Sequence, residues 1–480
     1  MKNFFTFLLA LSFSIGFAQE FKIESSTQFE KNHENEVTEV VFATPYGFST
    51  YSYLKNVFLD NQKEITITKY DQQLQQAGTI RFNLPKLEQR AADLDKVIEL
   101  EKDLIFISNS MSKKQGIRNI YAQVYNLESN AVSELKIIAS YPIESYSKSG
   151  QVEVNVSENK QQIVVLANMP FVKKTQEKVK VWVFNTNLDE QWNATHTIGL
   201  DSERAHNQDV HVANDGTVHL VKRHKYSTKK ATSTLVTING DNKTETLIST
   251  PNFFVRNTTL VNVGTDNLLA GFYYEGKVPY VKNTSDEGNE TSGVFLYSIN
   301  DSKIIGQHKF MVDGKPVKDL ASVTPVFTHV FGDDLFIVGE KQTYSSKFKE
   351  GNSTELDYMY THGPTAIIHL NTNGTLKEMN VLNNANTFKN AQSERASVAA
   401  LPMNGGVKLF YNKSTFTVAG FYDNAEKTTY NTLPTKYKDN TSTSTSYLVP
   451  KSLKAVDNYN LIYFVATNGN RYWLNKMTWE

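Results

Sequence analysis

The sequence predicts an all-β protein assembled from about eight similar units of four strands each. Three observations lead there. Tyr, Phe, Val, Ile and Thr are abundant, while apolar patterns of period 3.6 are hard to find. Short apolar runs of strand length recur along nearly the whole chain with turn residues between them. Equivalent positions in those runs, from Phe48 and Leu104 to Val407 and Leu461, return at intervals of 50 to 72 residues.

At the start of the chain, Lys2, an apolar run from Phe4 to Phe17 and the small residues Gly16 and Ala18 have the layout of an export signal cleaved after Ala18. Residues 1–18 are therefore read as a signal peptide and 19–480 as one repeat domain. That run is too short to span a bilayer, and no later stretch approaches the roughly 20 apolar residues a spanning helix needs, so the protein is not expected to be membrane-embedded. The chain has no cysteine, which excludes disulfides, thiolate metal sites and a lipid anchor on an N-terminal cysteine. So long a chain holds together by core burial alone only if each repeat buries its faces on its neighbours.

The most regular strand of each unit reads, in order, GFSTYSYL from Gly47, DLIFISNS from Asp103, QQIVVLAN from Gln161, GTVHLVKR from Gly216, DNLLAGFYY from Asp266, DDLFIVGE from Asp333, GGVKLFYN from Gly405 and LIYFVATN from Leu461. Around it the order repeats: KVIEL, DLIFISNS, NIYAQVYNL and SELKIIAS in the second unit, and VEVNV, QQIVVLAN, VKVWVFN and ATHTIGL in the third. These are four strands in meander order, A to D.

Four antiparallel strands at this period resemble the blades of a β-propeller. The resemblance is architectural and implies about eight four-stranded blades, with seven as the alternative and a β-sandwich or two-domain β protein behind it. No WD dipeptide repeat, paired-glycine kelch pattern or aspartate box accompanies it; NDGTV at Asn214 and NGTL at Asn373 are hairpin turns. The final YWLNKMTWE supplies strand C of the last unit and leaves no strand D after it. FKIESSTQF, from Phe21, is expected to fill that place and close the ring.

Lysine plus arginine balance aspartate plus glutamate, 50 against 50, which argues against a globally basic nucleic-acid binder. His206, His211, His219 and His224 form the one histidine cluster. Val210 and Val212 share a face with Val218 and Leu220 if the turn is Asn214-Asp215-Gly216, which sets His211 across from His219. Two imidazoles without a third ligand read as hydrogen-bonded histidines between blades, so no metal and no cofactor is expected. Asp333-Asp334 and Asp286-Glu287 fall where turns are expected, and sequence neighbours on a strand point to opposite faces, so neither is a glycosidase pair by itself. No nucleophile elbow or phosphate-cradling glycine loop appears.

Strand alternation offers more. Every B-to-C loop emerges at the same end of the ring as every D-to-A connection. The B-to-C segments SKKQGIR, KKTQEK and KRHKYSTKK of units two to four carry Lys113, Lys114, Arg118, Lys173, Lys174, Lys178, Lys222, Arg223, Lys225, Lys229 and Lys230 against a single acid, Glu177. That is a one-sided positive field on a neutral protein. D-to-A connections add Arg90, Arg204, Arg256 and Arg395, read first as pins between blades and second as ligand contacts. The two longest insertions, Glu275 to Gly293 and Lys341 to Thr365, share this end, and the second holds Tyr344, Phe348, Tyr358, Tyr360 and His362. Lysines without interleaved aromatics suit a sequence-tolerant electrostatic contact. The expectation is an exported binding or scaffold protein, periplasmic or extracellular, whose partner is an anionic polysaccharide or an envelope protein. The alternative is an extracellular carbohydrate hydrolase or lyase with acids in the central channel.

Overall fold

The computed structural model describes residues 21–479 apart from 32–35, 55–62, 89, 228–229, 249–252, 276–290, 313, 318–319, 321–322, 349–355, 390–393, 404–405, 414–415, 424–430, 434–435, 440–441 and 457–458. Side chains are not described through 225–231 and 413–445. The signal segment expected over 1–18 lies outside the described residues.

Seven four-stranded meanders are each cut from one continuous stretch of chain. Blade 2 runs through strands Asp93–Glu99, Asp103–Ser112, Ile117–Asn126 and Lys136–Pro142, and blade 3 through Gln151–Val156, Ile163–Asn168, Gln176–Phe184 and Glu190–Asp201. A further sheet is shared by both ends of the chain: Phe21–Ser25 pairs antiparallel with Arg471–Trp479, from Phe21 opposite Trp479 to Ser25 opposite Asn475. The protein is a β-propeller. Its seven contiguous four-stranded blades match the seven-blade alternative and not the count of about eight, and the expected completion of the last sheet by the N-terminal segment is observed. The described residues contain almost no helix, and none long and apolar enough to cross a membrane.

Alternation within the second strand of each blade explains the ring. Leu104 and Phe106 join a core with Ile65 and Ile67 of blade 1, while Ile105 and Ile107 join another with Ile163 and Val165 of blade 3. In blade 6, Phe336 and Val338 face blade 7, and Leu335 and Ile337 face blade 5. Such strands read as unbroken apolar runs because both faces are buried. Strand D of blade 3, Glu190–Asp201, alternates exposed and buried instead, as an outer strand does. Phe48 against Tyr463 and Phe410 beside Ile462 seat the shared sheet on blades 1 and 7. Blade contact is close enough that a Cβ on Gly339 would lie 2.2 Å from the Phe272 ring.

Polar pins cross the apolar layers near the axis. The register of the innermost strand of blade 2 skips Asp95, whose two carboxylate oxygens each accept from Asn109 Nδ2 at 2.7 Å. In blade 4, Ala205–Val212, the register skips Gln208, whose Nε2 donates to the carbonyls of Val255 and Arg256 in blade 5. Beside it, Asp209 accepts from Thr258 N at 2.8 Å and Thr258 Oγ1 at 2.9 Å. The blade 4 bulge turns side chains of the inner strand onto the next blade, while that of blade 2 turns Asp95 onto strand B of its own blade.

Burial pushes Asp209 up to about 7 and Asp95 up to about 6, against the opposing hydrogen bonds from Thr258 and Asn109. A carboxyl that keeps its proton longer in the fold than in the unfolded chain contributes stability below about pH 4, and that contribution is lost as pH rises through the folded value. Stability carried by Asp209 therefore falls between about pH 4 and 7. Asp209→Asn retains an acceptor for Thr258 without a charge and is expected to flatten the fall of Tm over that window. An equally steep fall in the variant would refute the assignment.

Candidate functional site

Backbone hydrogen bonds join the B-to-C loops to the D-to-A connections at one end of the ring: Ile143 N donates to Gly116 O at 2.9 Å, Ser202 N to Thr175 O at 3.0 Å and Thr291 N to Leu320 O at 2.9 Å. The common rim expected from strand alternation is thus a hydrogen-bonded surface.

Three of its expected cations are strand residues with structural work. Arg118, on strand C of blade 2, donates from Nε to Asn109 Oδ1 at 2.9 Å and from Nη1 to Gly150 O at 3.1 Å, bracing the blade 2 to blade 3 connection. Lys222 is fully buried on strand B of blade 4, Val218–Ser227, where Nζ lies 2.7 Å from Glu177 Oε1 and also donates to Asn168 and Asn207. Glu177, the one acid counted against the lysines, is therefore spent on a buried pair that ties blade 3 to blade 4. Arg223, half-buried on the same strand, stands opposite His206. Lys113, Lys114, Lys173, Lys174 and Lys178 are exposed, whereas Lys229 lies outside the described residues and Lys225 and Lys230 are described only as backbone of strands B and C of blade 4.

The four arginines behave chiefly as pins, three of them through aromatic rings. Arg90 lies 5.7 Å from the ring centroid of Tyr146, so the connection into blade 2 is stacked on the connection into blade 3. Arg395 repeats the relation 4.7 Å from Tyr447, is itself buried, and gives its carbonyl to Asn412. Arg256, which belongs to the innermost strand of blade 5 and does not precede it, stacks on Tyr274 and meets its hydroxyl. Arg204 is exposed beside Asp201.

The basic surface is not free of apolar side chains, contrary to expectation. Tyr146, on the connection that carries Lys148, is 47% exposed, and Phe171 and Val172, on the loop that carries Lys173 and Lys174, are 43% and 53% exposed. The run Phe171-Val172-Lys173-Lys174 was legible, but Tyr146 reaches the patch only through the 143–150 connection, which spatial neighbourhood and not sequence brings in.

The Lys341 to Thr365 insertion is a ribbon continuing its own blade, not a loop. Strands Asp334–Phe348 and Leu356–Asn371 stay in register from Asp334 opposite Asn371 to Phe348 opposite Leu356, with one slip after Glu340. Period-two alternation of QTYSSKF against LDYMYTH permits this. Tyr344 faces Tyr360 across the ribbon at 5.2 Å between centroids, and its ring is within 16° of parallel to Tyr358 at 5.7 Å. Most of the other insertion, 276–290, lies outside the described residues.

His211 and His219 are directly opposite, around a turn in which Gly216 has φ +85°. Val210, Val212, Val218 and Leu220 share one core, as expected. His211 Nε2 lies 3.1 Å from Thr258 Oγ1 and His219 Nδ1 lies 3.1 Å from Thr237 Oγ1. Burial pushes His211 down to about 3 and His219 down to about 4. Among the described inner-strand acids, Asp95, Asp209 and Glu153 each bind an amide or hydroxyl of a neighbouring strand, Glu153 by accepting from Asn207 Nδ2 at 2.5 Å.

No protein-family model matches the chain, and no curated protein does. Among solved structures it is similar to the WD40 domain of SCAP from fission yeast, at 9% identity and TM-score 0.39, covering 96% of this chain and 94% of that one. It is similar to the N-terminal domain of Nup159 at 8% identity and TM-score 0.33, covering 96% of each. A Pyrococcus horikoshii acylaminoacyl peptidase gives 9% identity and TM-score 0.38 over 91% of this chain, which spans only 59% of that one. At that level of likeness the fold stands on its own strand order.

Proposed function

We propose that this protein is an exported, periplasmic or extracellular binding propeller whose loop-bearing end holds an anionic polysaccharide. The observation that carries the reading is the stretch from the 113–116 turn through the 143–150 connection to the 169–175 loop, stitched by the Ile143 to Gly116 and Arg118 to Gly150 hydrogen bonds. It presents five exposed lysines around Tyr146, Phe171 and Val172. Lysines attract sulfate or carboxylate groups at long range, and the apolar side chains cover the C–H faces of the sugars that carry them. Binding is preferred to hydrolysis because Asp95, Glu153 and Asp209, among the described inner-strand acids, are each engaged in holding one strand to another.

Replacing Lys113, Lys114, Lys173 and Lys174 together by Gln is expected to weaken binding to polygalacturonate or dextran sulfate at least tenfold and to flatten its dependence on salt. These side chains are exposed, so Tm should not move. Wild-type affinity that is indifferent to salt from 50 to 500 mM, or equal affinity in the variant, would remove the electrostatic reading.

A further inference from the structure

We infer that the blade 6 ribbon is a separate binding site for a neutral sugar ring. Residues that stand opposite each other in an antiparallel pair lie on the same face, and alternate residues share it. One face of the ribbon therefore carries Gln342, Tyr344 and Ser346 against His362, Tyr360 and Tyr358. Three tyrosines form its middle, with Tyr358 the most exposed of them at 37%, and Gln342 and His362 form its foot. An aromatic face is the negative pole of the ring quadrupole, and the C–H groups on one side of a pyranose present the complementary positive surface.

The foot is held as a hydrogen-bonding edge. Glu340, 1% exposed, takes His362 Nδ1 at 3.0 Å, Ser397 Oγ at 2.6 Å and Gln342 Nε2 at 3.3 Å, all on Oε2. With Nδ1 committed there, Nε2 of His362 is the ring nitrogen left to meet a ligand. Ser397 reaches Glu340 from a backbone with φ +81°, a left-handed conformation that a non-glycine residue adopts at a cost. Ser and His share one carboxylate oxygen instead of forming a chain from hydroxyl to imidazole to acid, so the set orients and does not activate a nucleophile.

Two further buried polar atoms adjoin the foot without a partner among the described residues: Thr365 Oγ1, directly opposite Glu340, and Asn386 Nδ2, directly opposite His362. Buried polar atoms are as a rule satisfied, and an ordered water would complete these two. The ribbon is braced from the other side by Asn386–Lys389, which pairs with Met359 to His362, and by the Lys389 to Asp357 ion pair at 2.5 Å. A braced platform of flat rings with a fixed polar edge suits a saccharide, whose ring stacks while its hydroxyls bind at the rim. An acidic polymer is the poorer fit, because Glu340 lies beneath the edge.

The test is affinity electrophoresis of the full chain through gels containing, one at a time, hydroxyethylcellulose, xylan, galactomannan, laminarin and soluble starch. At least one neutral polymer is expected to retard the protein equally at 50 and 500 mM salt. Tyr358→Ala and Tyr344→Ala should each reduce the apparent affinity at least fivefold, and His362→Ala should reduce it while His362→Gln restores part of it. The lysine-to-Gln variant described above should be retarded like wild type, so this site and the basic patch fail or succeed separately. Tm shows that each variant is folded. No retardation by any of the five polymers, or retardation that survives loss of both Tyr344 and Tyr358, would overturn the inference.

Discussion

Lys222→Ala is expected to destabilise the protein by about 3–5 kcal/mol, because it leaves the Glu177 carboxylate buried without its cation. The Lys222 side chain is 0% exposed and that of Glu177 is 7% exposed. Burial pulls the lysine pKa down, while Glu177 opposes that shift. The pair therefore exists only because each charge has the other, and because Asn168 and Asn207 take the remaining donors of the ammonium. The second Glu177 oxygen has no partner among the described residues, so nothing stands ready to replace the lysine. Replacing both charges at once, Lys222→Met with Glu177→Leu, should recover more than half of the loss, since an apolar contact between blades 3 and 4 costs no desolvation of charge. Thermal and urea unfolding of the three proteins decide the matter. A single variant within a degree or two of wild type, or a double variant no better than the single, would show that the pair is not what holds these blades.

Removing residues 19–26 should be comparably severe, at roughly 5 kcal/mol, reckoned from five ladder pairs at about 1 kcal/mol each with the burial of Ile23 offset by ordering. The segment is the outer strand of the shared sheet. Ser25 Oγ donates to Asn475 Oδ1 at 2.8 Å, and Ser26 binds Leu474 by both its amide at 2.9 Å and its hydroxyl at 3.0 Å. Just beyond it, Phe29 stacks on Tyr472 at 5.2 Å, and Lys31 forms a buried pair with Glu394 at 2.7 Å. Without the strand, Arg471–Trp479 becomes an open edge, which invites aggregation as well as loss of stability. A synthetic peptide of residues 19–30 added in excess should restore Tm in a concentration-dependent way. A truncated protein with wild-type Tm would mean that the ring is closed by something else.

Much of the architecture was legible because apolar alternation and turn residues are local signals. The register of His211 against His219 followed from placing four valines and leucines on one face, and the closing role of Phe21 followed from counting strands. What escaped was whatever depends on which neighbour a side chain meets. Lys222 reads as one more lysine in a basic segment, yet two residues of inward register turn it into a buried ion pair. Glu177 reads as a stray acid and is its partner. Tyr146 lies in a segment with no strand pattern and joins the basic patch only where two connections touch.

Composition, repeat period and alternation by themselves determined that this chain is all-β, that its units are four-stranded, and that its B-to-C and D-to-A connections gather at one end, because strand direction and pleat are properties of the local backbone. Only the tertiary structure decided which cations remain in solvent, which arginines are pins, and that the tyrosines of blade 6 form a ribbon with a buried carboxylate at its foot. The physical reason is that burial and hydrogen-bond partnership are set between blades, by residues commonly 45 to 55 positions apart, and a sequence read along its length carries no record of that packing.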